Sequence, residues 1–188
     1  MKANKTFTSF KLVSGVHIDS ELLLLSSVVI LAVQVLLEYI RAFQIGPIAT
    51  YLDQAFEIFI DEKDSGKLIL TNIYLLAGAS LPLWLSPDLS QINSLILLSG
   101  VISIGIGDSA ASIVGSKYGQ IKLPGSSKTL EGTLASILAQ TVFIYFCYNL
   151  SLGLLLSVSL VSFVEALTNQ VDNIVLPLIM YLSFCIVL

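Results

Sequence analysis

Three long stretches without a charged residue constrain the fold of this chain more than any other feature. They cover residues 68–86, 89–107 and 132–164. The first two have 19 residues each, close to the ~20 that an α-helix needs to cross the hydrocarbon core of a membrane. The third has 33 residues, which suits two such helices joined by a tight turn. Only 12% of the chain is charged, against about 25% in soluble domains, so we expect an integral membrane protein.

The apolar runs predict an all-α fold, a polytopic transmembrane helix bundle of about six spans. The spans fall at residues 22–43, 68–86, 89–114, 134–148, 152–167 and 174–188. Gly46-Pro47 ends the first helix, and the apolar residues of 48–60 recur at the spacing of a short amphipathic helix. Residues 1–21 are expected to form a polar tail without a secretory signal peptide, and residues 22–188 one membrane-embedded domain.

The lysines indicate which side of the membrane each loop faces. Loops 44–67 and 115–132 lie on the same side under this count of spans and hold five lysines together, with Arg41 at their edge. The opposite connections, 87–91 and 149–151, hold none. Positive residues are enriched in cytosolic loops, so both inner loops are expected in the cytosol, although the lysines of the N-terminal tail favour the reverse orientation.

A polar segment at residues 107–133 lies between two of the apolar spans and carries the strongest sign of chemistry. It contains Asp108, several glycines and hydroxyls, and three lysines. Gly107-Asp108-Ser109 predicts a glycine-flanked turn that presents the carboxylate where the third span meets water. Residues 124–129 offer backbone N–H groups, hydroxyls and an ammonium close together, as phosphate-binding loops do, although the segment has no Walker A motif. An ordinary solvated loop is the alternative.

Two further acidic clusters lie on the same predicted face. Asp61, Glu62 and Asp64 directly precede a charge-free span, and Asp172 lies beside Asn173 in the last polar patch. Magnesium takes one or two carboxylates together with phosphate oxygens, and lysines neutralise the remaining charge. The three clusters together are therefore typical of a polyphosphate site, while a solvated charge run is the alternative for residues 61–64.

Other polar residues leave their roles open. Glu38 and Arg41 are three residues apart, so they share a helix face near the end of the first span. Glu165 lies near the end of an apolar span, where ionisable groups usually have a partner, and both a packing role and contact with a lysine are open. The single histidine, His17, lies in the polar tail, so no Ser-His-Asp or Cys-His arrangement can be built around it.

Motifs in order along residues 38–180 resemble the dolichol kinases, a family of endoplasmic-reticulum membrane enzymes that phosphorylate dolichol with CTP. They are EYIRAF (38–43), DEKDSGKLILTNIYLLAGASLPLWL (61–85), GDSAASIVGSKYG (107–119), LPGSSKTLEGT (123–133) and EALTNQVDNIVLPL (165–178). The glycine–aspartate motif is shared with related polyprenol, phytol and CTP-dependent diacylglycerol kinases, whereas the second and last blocks are more specific to dolichol kinase. Family members are longer, and the resemblance is to their C-terminal portion.

The resemblance implies a reaction and its partners. The γ-phosphoryl group of CTP is expected to pass to the terminal hydroxyl of dolichol or another polyisoprenol, which supplies the lipid carrier for protein glycosylation. The nucleotide loop, residues 115–133, is expected to face the cytosol from the endoplasmic-reticulum membrane. Besides CTP, the lipid and the bilayer, a divalent cation such as Mg²⁺ is expected, and no nucleic acid.

The resemblance also implies a set of site residues. Asp108 lies in the family's catalytic motif and is expected to bind the metal, as is Asp172. Lys128 is expected to hold phosphates, and Asp61 or Asp64 to orient the alcohol as a base. The expected nucleotide-binding residues are Lys117, Gly125, Ser126, Ser127, Thr129 and Glu131.

Two other classes of protein stay open at this point. The first is a related CTP-using membrane enzyme, either a polyprenol or diacylglycerol kinase, which releases CDP, or a cytidylyltransferase, which releases pyrophosphate. The second is a non-catalytic membrane protein, such as an inactive truncated isoform or half of a transporter. The charges of this chain gather in loops rather than at mid-membrane, where transport sites usually lie, which disfavours transport.

Overall fold

The computed structural model describes residues 9–12, 16–57, 67–86, 92–124, 126, 128–168 and 172–188. Helices account for most of this part of the chain. They are α1 (Ser20–Ala42), α2 (Ile48–Glu57), α3 (Thr71–Leu85), α4 (Ser94–Leu97), a π-helix (Val101–Asp108), α5 (Ser109–Tyr118), α6 (Leu130–Cys147), α7 (Leu152–Leu167) and α8 (Asp172–Val187). The predicted helical architecture is therefore confirmed for the described residues.

A short β-hairpin in the predicted N-terminal tail is the one departure from helix among the described elements. Strand β1 (Ser9–Leu12) pairs antiparallel with β2 (Val16–Asp19), and β2 leads directly into α1. Polar and apolar residues alternate along both strands, which is the period-2 pattern of a β-strand. Strands of four residues are too short to stand out against the mixed composition of the tail.

Two of the described helices are long and apolar enough to cross a membrane. They are α1, with 23 residues, and α6, with 18. Only 11% of the apolar window of α1 is covered by the rest of the chain, as expected of a helix that faces lipid. Helices α3, α7 and α8 have 15, 16 and 16 residues, short of the ~20 that an upright span requires. The count of six spans therefore stays a prediction.

The predicted break after the first helix is confirmed. Gly46 adopts a left-handed conformation with φ 68°, and Gln44 does so with φ 54°. This turn places α2 against the end of α1, as expected for a short amphipathic helix. Residues 58–60, which the prediction included in that helix, lie outside the described residues. The predicted tight connection between α6 and α7 at residues 149–151 is also confirmed.

The predicted turn at Asp108 is wrong. This residue has φ −61° and ψ −39°, the values of a right-handed helix, and it joins the π-helix directly to α5. Two alanines follow at 110 and 111, and alanine favours continued helix. Gly107 is buried and has no left-handed conformation. Asp108 therefore lies on the side of a helical path that continues to Tyr118.

The predicted nucleotide loop is correspondingly shorter. Helix α5 ends at Tyr118 and α6 begins at Leu130, so the connection covers residues 119–129 rather than 115–133. Residues 115–118 complete the last turns of α5, and residues 130–133 form the first turn of α6. Part of the polarity of this segment thus belongs to helix ends, which the sequence pattern could not separate from loop.

The core lies where α7 and α8 pack against the π-helix, α4 and α6. Its most buried apolar side chains are Leu95, Ile102, Ile144, Leu154, Val158, Leu176, Met180 and Phe184. Helix α3 packs against α8, and α1 packs against α3 and α2. Gly100 lets the central helical path approach α3 closely, because a Cβ at this position would lie 2.5 Å from the Ala79 carbonyl oxygen.

Helices α5 and α6 form the tightest hairpin of the fold, and the candidate nucleotide loop connects them. A Cβ at Gly132 would lie 2.8 Å from the backbone oxygen of Ala111 and 3.3 Å from the Cα of Gly115. Small residues at such crossings allow helix backbones to approach within a membrane bundle. The position of the loop therefore depends on the absence of a side chain at Gly132.

We expect Gly132→Ala to destabilise the chain by about 1–3 kcal/mol, because the obstacle is backbone and cannot move aside as a flexible side chain would. The free energy of unfolding in detergent measures this. Gly105→Ala is the matched control, since a Cβ there would meet only the Val101 side chain at 3.4 Å. Equal stability of the two variants would contradict the close approach of α5 and α6.

Candidate functional site

Asp108 lies at the junction of the π-helix and α5, beside the polar face of α6. Its neighbour Gly107 brings α6 close, because a Cβ there would lie 2.8 Å from Cδ of Gln140 and 3.0 Å from Oγ of Ser136. The backbone N–H of Ser109 bonds to the carbonyl of Ile104, five residues earlier, as in a π-helix. Such segments are rare and are frequent at functional sites. Asp108 therefore lies within a continuous helical path, one residue after the close contact with α6, rather than at a free end.

The 119–129 connection folds into a small closed turn. Lys122 pairs with Thr129 in an antiparallel bridge, and the N–H of Leu123 donates to the carbonyl of Lys128 at 2.9 Å. The N–H of Ser126 donates to the carbonyl of Leu123 at 3.2 Å, and its hydroxyl accepts the N–H of Lys128 at 3.1 Å. The backbone of Lys128 is thus held on both sides.

Two predicted nucleotide-binding residues also fasten this turn to α6. Thr129 is the N-cap of the helix, and its hydroxyl accepts the N–H of Gly132 at 3.3 Å. The carboxylate of Glu131 accepts the N–H of Ile121 at 3.2 and 3.3 Å. Capping satisfies backbone donors at the start of a helix. These contacts keep the connection compact over the first turn of α6.

Lys128 and Glu165 form an ion pair that joins the connection to α7. The ammonium nitrogen lies 3.3 Å from Oε1 of the carboxylate. The exposed fractions of the two side chains are 24% and 4%. Glu165 therefore does contact a lysine, one of the two roles left open by the sequence. The end of α7 and the 119–129 connection consequently lie at the same end of the bundle.

A network of buried polar side chains continues from Glu165 into the bundle. Oε2 of Glu165 accepts a hydrogen bond from Ser136 at 3.3 Å. The Ser136 and Ser162 hydroxyls lie 3.1 Å apart, and Nε2 of Gln140 donates to them at 2.9 and 3.1 Å. Oε1 of Gln140 has no hydrogen-bond partner within the described part of the chain. The network connects α6 to α7 directly beside Gly107.

The predicted site residues are only partly brought together. Lys128 and Asp108 both lie close enough to Glu165 for their charges to interact with its carboxylate. Lys117 lies in the last turn of α5 and is exposed. Asp172 is the first residue of α8. Four predicted site residues lie outside the described residues, namely Asp61, Asp64, Gly125 and Ser127.

A second charged cluster lies at the junction of α1, α2 and the segment entering α3. Arg41 forms two hydrogen bonds with Glu38, at 2.7 and 2.8 Å, and a third with Asp53 at 3.2 Å. It also donates to the carbonyl of Lys67 at 2.7 Å, and Glu38 accepts the N–H of Ile69 at 2.6 Å. The predicted shared face of Glu38 and Arg41 is confirmed. The cluster fastens the chain that follows residues 58–66 to the end of α1.

Asp53 contributes to this cluster as a stable anion. The hydrogen bond from the Gln44 amide, followed by that from Arg41, holds the pKa of Asp53 below its ordinary value. The Gln44 contact is 2.7 Å long. The carboxylate is therefore ionised at neutral pH, where it attracts the Arg41 guanidinium.

The sequence carries a signal for the buried network in the spacing of its polar residues. Ser136 and Gln140 are four residues apart on α6, and Ser162 and Glu165 are three apart on α7. Residues at these spacings lie on one helix face, and polar groups within apolar spans usually face other helices. Two such pairs on consecutive helices predict a polar contact between them.

Comparison with known proteins identifies the family. The family model described as dolichol kinase matches residues 7–143. The dolichol kinase of Bos taurus is 42% identical over 182 residues, which cover 88% of this chain and 34% of the relative. That of Arabidopsis thaliana is 38% identical, with 83% and 29% covered, and that of Schizosaccharomyces pombe is 31% identical, with 89% and 35% covered.

These matches define how far the likeness extends. The chain spans 34% of the length of the bovine relative. No solved structure matches it. The family model covers well over half of the chain, and that segment includes Asp108, Lys128 and the turn between α5 and α6. The chain belongs to the dolichol kinase family.

Proposed function

We propose that this chain transfers the γ-phosphoryl group of CTP to the terminal hydroxyl of dolichol or a related polyisoprenol. The observation that carries the proposal is the grouping of Asp108, Lys128 and Glu165 at one end of an apolar helix bundle, beside a compact turn closed by its own backbone hydrogen bonds. Membership of the dolichol kinase family selects the nucleotide and the lipid. The grouping supplies what phosphoryl transfer requires, which is positioning and charge neutralisation.

The reaction forms two bonds and breaks two. The lipid hydroxyl oxygen bonds to the γ-phosphorus, and the bond from that phosphorus to the β–γ bridging oxygen breaks, so that CDP leaves. The hydroxyl proton passes to a carboxylate, for which Asp61 and Asp64 are our candidates. Lys128 offers a positive charge to the phosphates while the backbone of the 119–129 turn holds it in place.

The nucleotide is proposed to lie along the turn and the adjoining helix ends. Lys117 is exposed on the last turn of α5 and is free to swing towards phosphate. The other proposed contacts are Gly125, Ser126, Ser127, Thr129 and Glu131. Thr129 and Glu131 also support the turn through their own hydrogen bonds. They are therefore proposed both to maintain the shape of the turn and to contact the nucleotide.

We propose that a divalent cation binds here together with the nucleotide, and not in a site formed by protein side chains alone. The described residues contain no group of three potential metal-ligating side chains. Mg²⁺ usually binds through one or two carboxylates and substrate phosphates, and Asp108 and Asp172 are the proposed carboxylates. When bound, the ion neutralises charge on the transferring phosphoryl group.

The lipid is proposed to reach the site from the bilayer. Helix α1 is almost uncovered by the rest of the chain, and α6, which starts at the proposed nucleotide site, is the second helix able to cross a membrane. Residues 22–188 then act as one membrane domain in the endoplasmic reticulum with the 119–129 turn in the cytosol. This orientation agrees with the lysine distribution.

The test is product analysis in membranes from cells that lack dolichol kinase and express this chain. CTP labelled in its γ-phosphate should yield labelled dolichyl phosphate together with unlabelled CDP. Pyrophosphate release would instead support a cytidylyltransferase. Absence of both lipid labelling and CTP binding, with the chain present in the membrane, would overturn the proposal.

A further inference from the structure

The two carboxylate oxygens of Glu165 bind different partners. Oε1 pairs with the Lys128 ammonium at 3.3 Å, and Oε2 accepts the Ser136 hydroxyl at 3.3 Å. One oxygen therefore faces the nucleotide turn and the other the interior of the bundle. We propose that Glu165 is a positioning residue, which fixes the ammonium of Lys128 where the phosphates bind, and that the Ser136–Ser162–Gln140 network fixes Glu165.

The interior end of this arrangement is rigid. Ser136, Ser162 and Gln140 are almost completely buried, and the amide of Gln140 bonds to both hydroxyls. The three side chains come from two packed helices, so the hydrogen bonds among them join α6 to α7. Ser136 is therefore a fixed donor, and its hydrogen bond determines how the Glu165 carboxylate is rotated.

The outer end is also defined. The Lys128 N–H bonds to the Ser126 hydroxyl, and its carbonyl accepts the Leu123 N–H. The backbone of Lys128 is thus held by the turn while its side chain is held from α7. A lysine side chain is a flexible four-carbon stem that carries a single point charge, so the pair with Glu165 restricts the positions that its ammonium samples. Holding it in advance lowers the entropy lost when phosphate binds.

Glu38 shows by contrast what a purely structural carboxylate looks like in this chain. Both of its oxygens bind the Arg41 guanidinium, and the Ile69 N–H completes the set. The Arg41 side chain is 11% exposed, whereas that of Lys128 is 24% exposed. The Lys128 side chain is thus the more exposed of the two paired cations. This accessibility distinguishes a pair built to hold a cation for a ligand from one that closes a helix junction.

The network also carries a cost in stability. Gln140 Oε1 has no hydrogen-bond partner among the described groups, and burying such an acceptor is unfavourable. Ionisable groups inside a membrane bundle are costly and mark functional positions, and the buried polar side chains of the network surround such a group, Glu165. A role in orienting Glu165 accounts for their place beside Gly107 and Asp108.

The first test measures Lys128 directly and needs no activity. The full chain in membranes is treated with an amine-acylating reagent, and modification of each lysine is quantified by mass spectrometry. We expect Glu165→Gln to raise the labelling rate of Lys128 by about tenfold, with Lys117 and Lys122 unchanged. Ser136→Ala, which keeps the charge, should raise it less. Ser159→Ala is the matched control, because its hydroxyl bonds to the Leu155 carbonyl within α7 and, among the described residues, to no member of the network.

The second test rests on the proposed function and uses a double-mutant cycle. Glu165→Gln should raise the KM for CTP by about tenfold with a smaller change in kcat. In the Lys128→Ala background the same change should have no further effect on kcat/KM, because Glu165 acts through the lysine. Additive losses would overturn the proposal, as would unchanged Lys128 labelling in Glu165→Gln.

Folding defects and failure of the proposed function give different results. If Glu165→Gln does not fold, Ser136→Ala decides, and wild-type labelling of Lys128 in that variant overturns the role of the network. If the unmodified chain binds no CTP and phosphorylates no lipid, the proposed function fails while the labelling result still decides whether Glu165 positions Lys128.

Discussion

Asp108→Asn is expected to lower kcat for CTP-dependent lipid phosphorylation by about 10²- to 10³-fold. Asparagine has the same shape but lacks the negative charge that a divalent cation requires. Asp108 lies in continuous helix, with α5 packed against α6, so the substitution leaves the backbone unchanged. The measurement is labelled dolichyl phosphate formed per unit of membrane-inserted protein at saturating CTP.

Ser109→Ala is the control for this prediction. It changes the next residue of the same helix, whose hydroxyl donates to the Ile104 carbonyl at 3.4 Å, and its kcat should stay within about twofold of the unmodified chain. Raising the Mg²⁺ concentration should partly restore Asp108→Asn if the lost charge binds the ion. Normal activity of Asp108→Asn would remove this residue from the mechanism.

Glu38→Ala is expected to be the most destabilising single change, by about 3–5 kcal/mol. It leaves the Arg41 guanidinium without its bidentate partner, although that side chain is only 11% exposed. It also removes the acceptor of the Ile69 N–H. The end of α1, helix α2 and the start of α3 should therefore separate together, and unfolding in detergent should begin there.

Val35→Ala provides the comparison on the same helix. Val35 is 48% exposed to the surroundings of α1, and alanine favours helix, so its unfolding midpoint should match that of the unmodified chain. Glu38→Gln keeps hydrogen-bonding capacity without the charge, so its unfolding midpoint should lie between those of Glu38→Ala and Val35→Ala. If Glu38→Ala has the same unfolding midpoint as Val35→Ala, the cluster around Arg41 contributes nothing to stability.

The sequence predicted helices well because their signal is local. Apolar composition and the Gly46-Pro47 break gave both ends of α1 and the start of α2 to within a few residues. Gly107 was misjudged because a glycine before an aspartate is typical of a turn, whereas here its missing side chain serves helix packing against Gln140. No local pattern distinguishes these uses, since the second depends on a residue 33 positions later.

The candidate site was predictable in its chemistry and less so in its arrangement. Lys128 was identified from the composition of the polar segment, and Glu165 was recognised as a costly charge with either packing or a lysine as its role. The ion pair between them spans 37 residues. It exists only because α6 and α7 fold back on each other and bring the end of α7 to the start of α6.

The sequence by itself determined the apolar helices, their breaks, the polar segment between α5 and α6, and the family, because composition, short-range spacing and motif order are properties of the chain alone. Tertiary structure decided which polar residues meet. It placed Asp108 on a helix, shortened the connection to residues 119–129, and joined Lys128 to a buried network through Glu165. The physical reason is that a buried polar group is stabilised by whichever partner packing brings within hydrogen-bond distance, and packing is a property of the whole bundle.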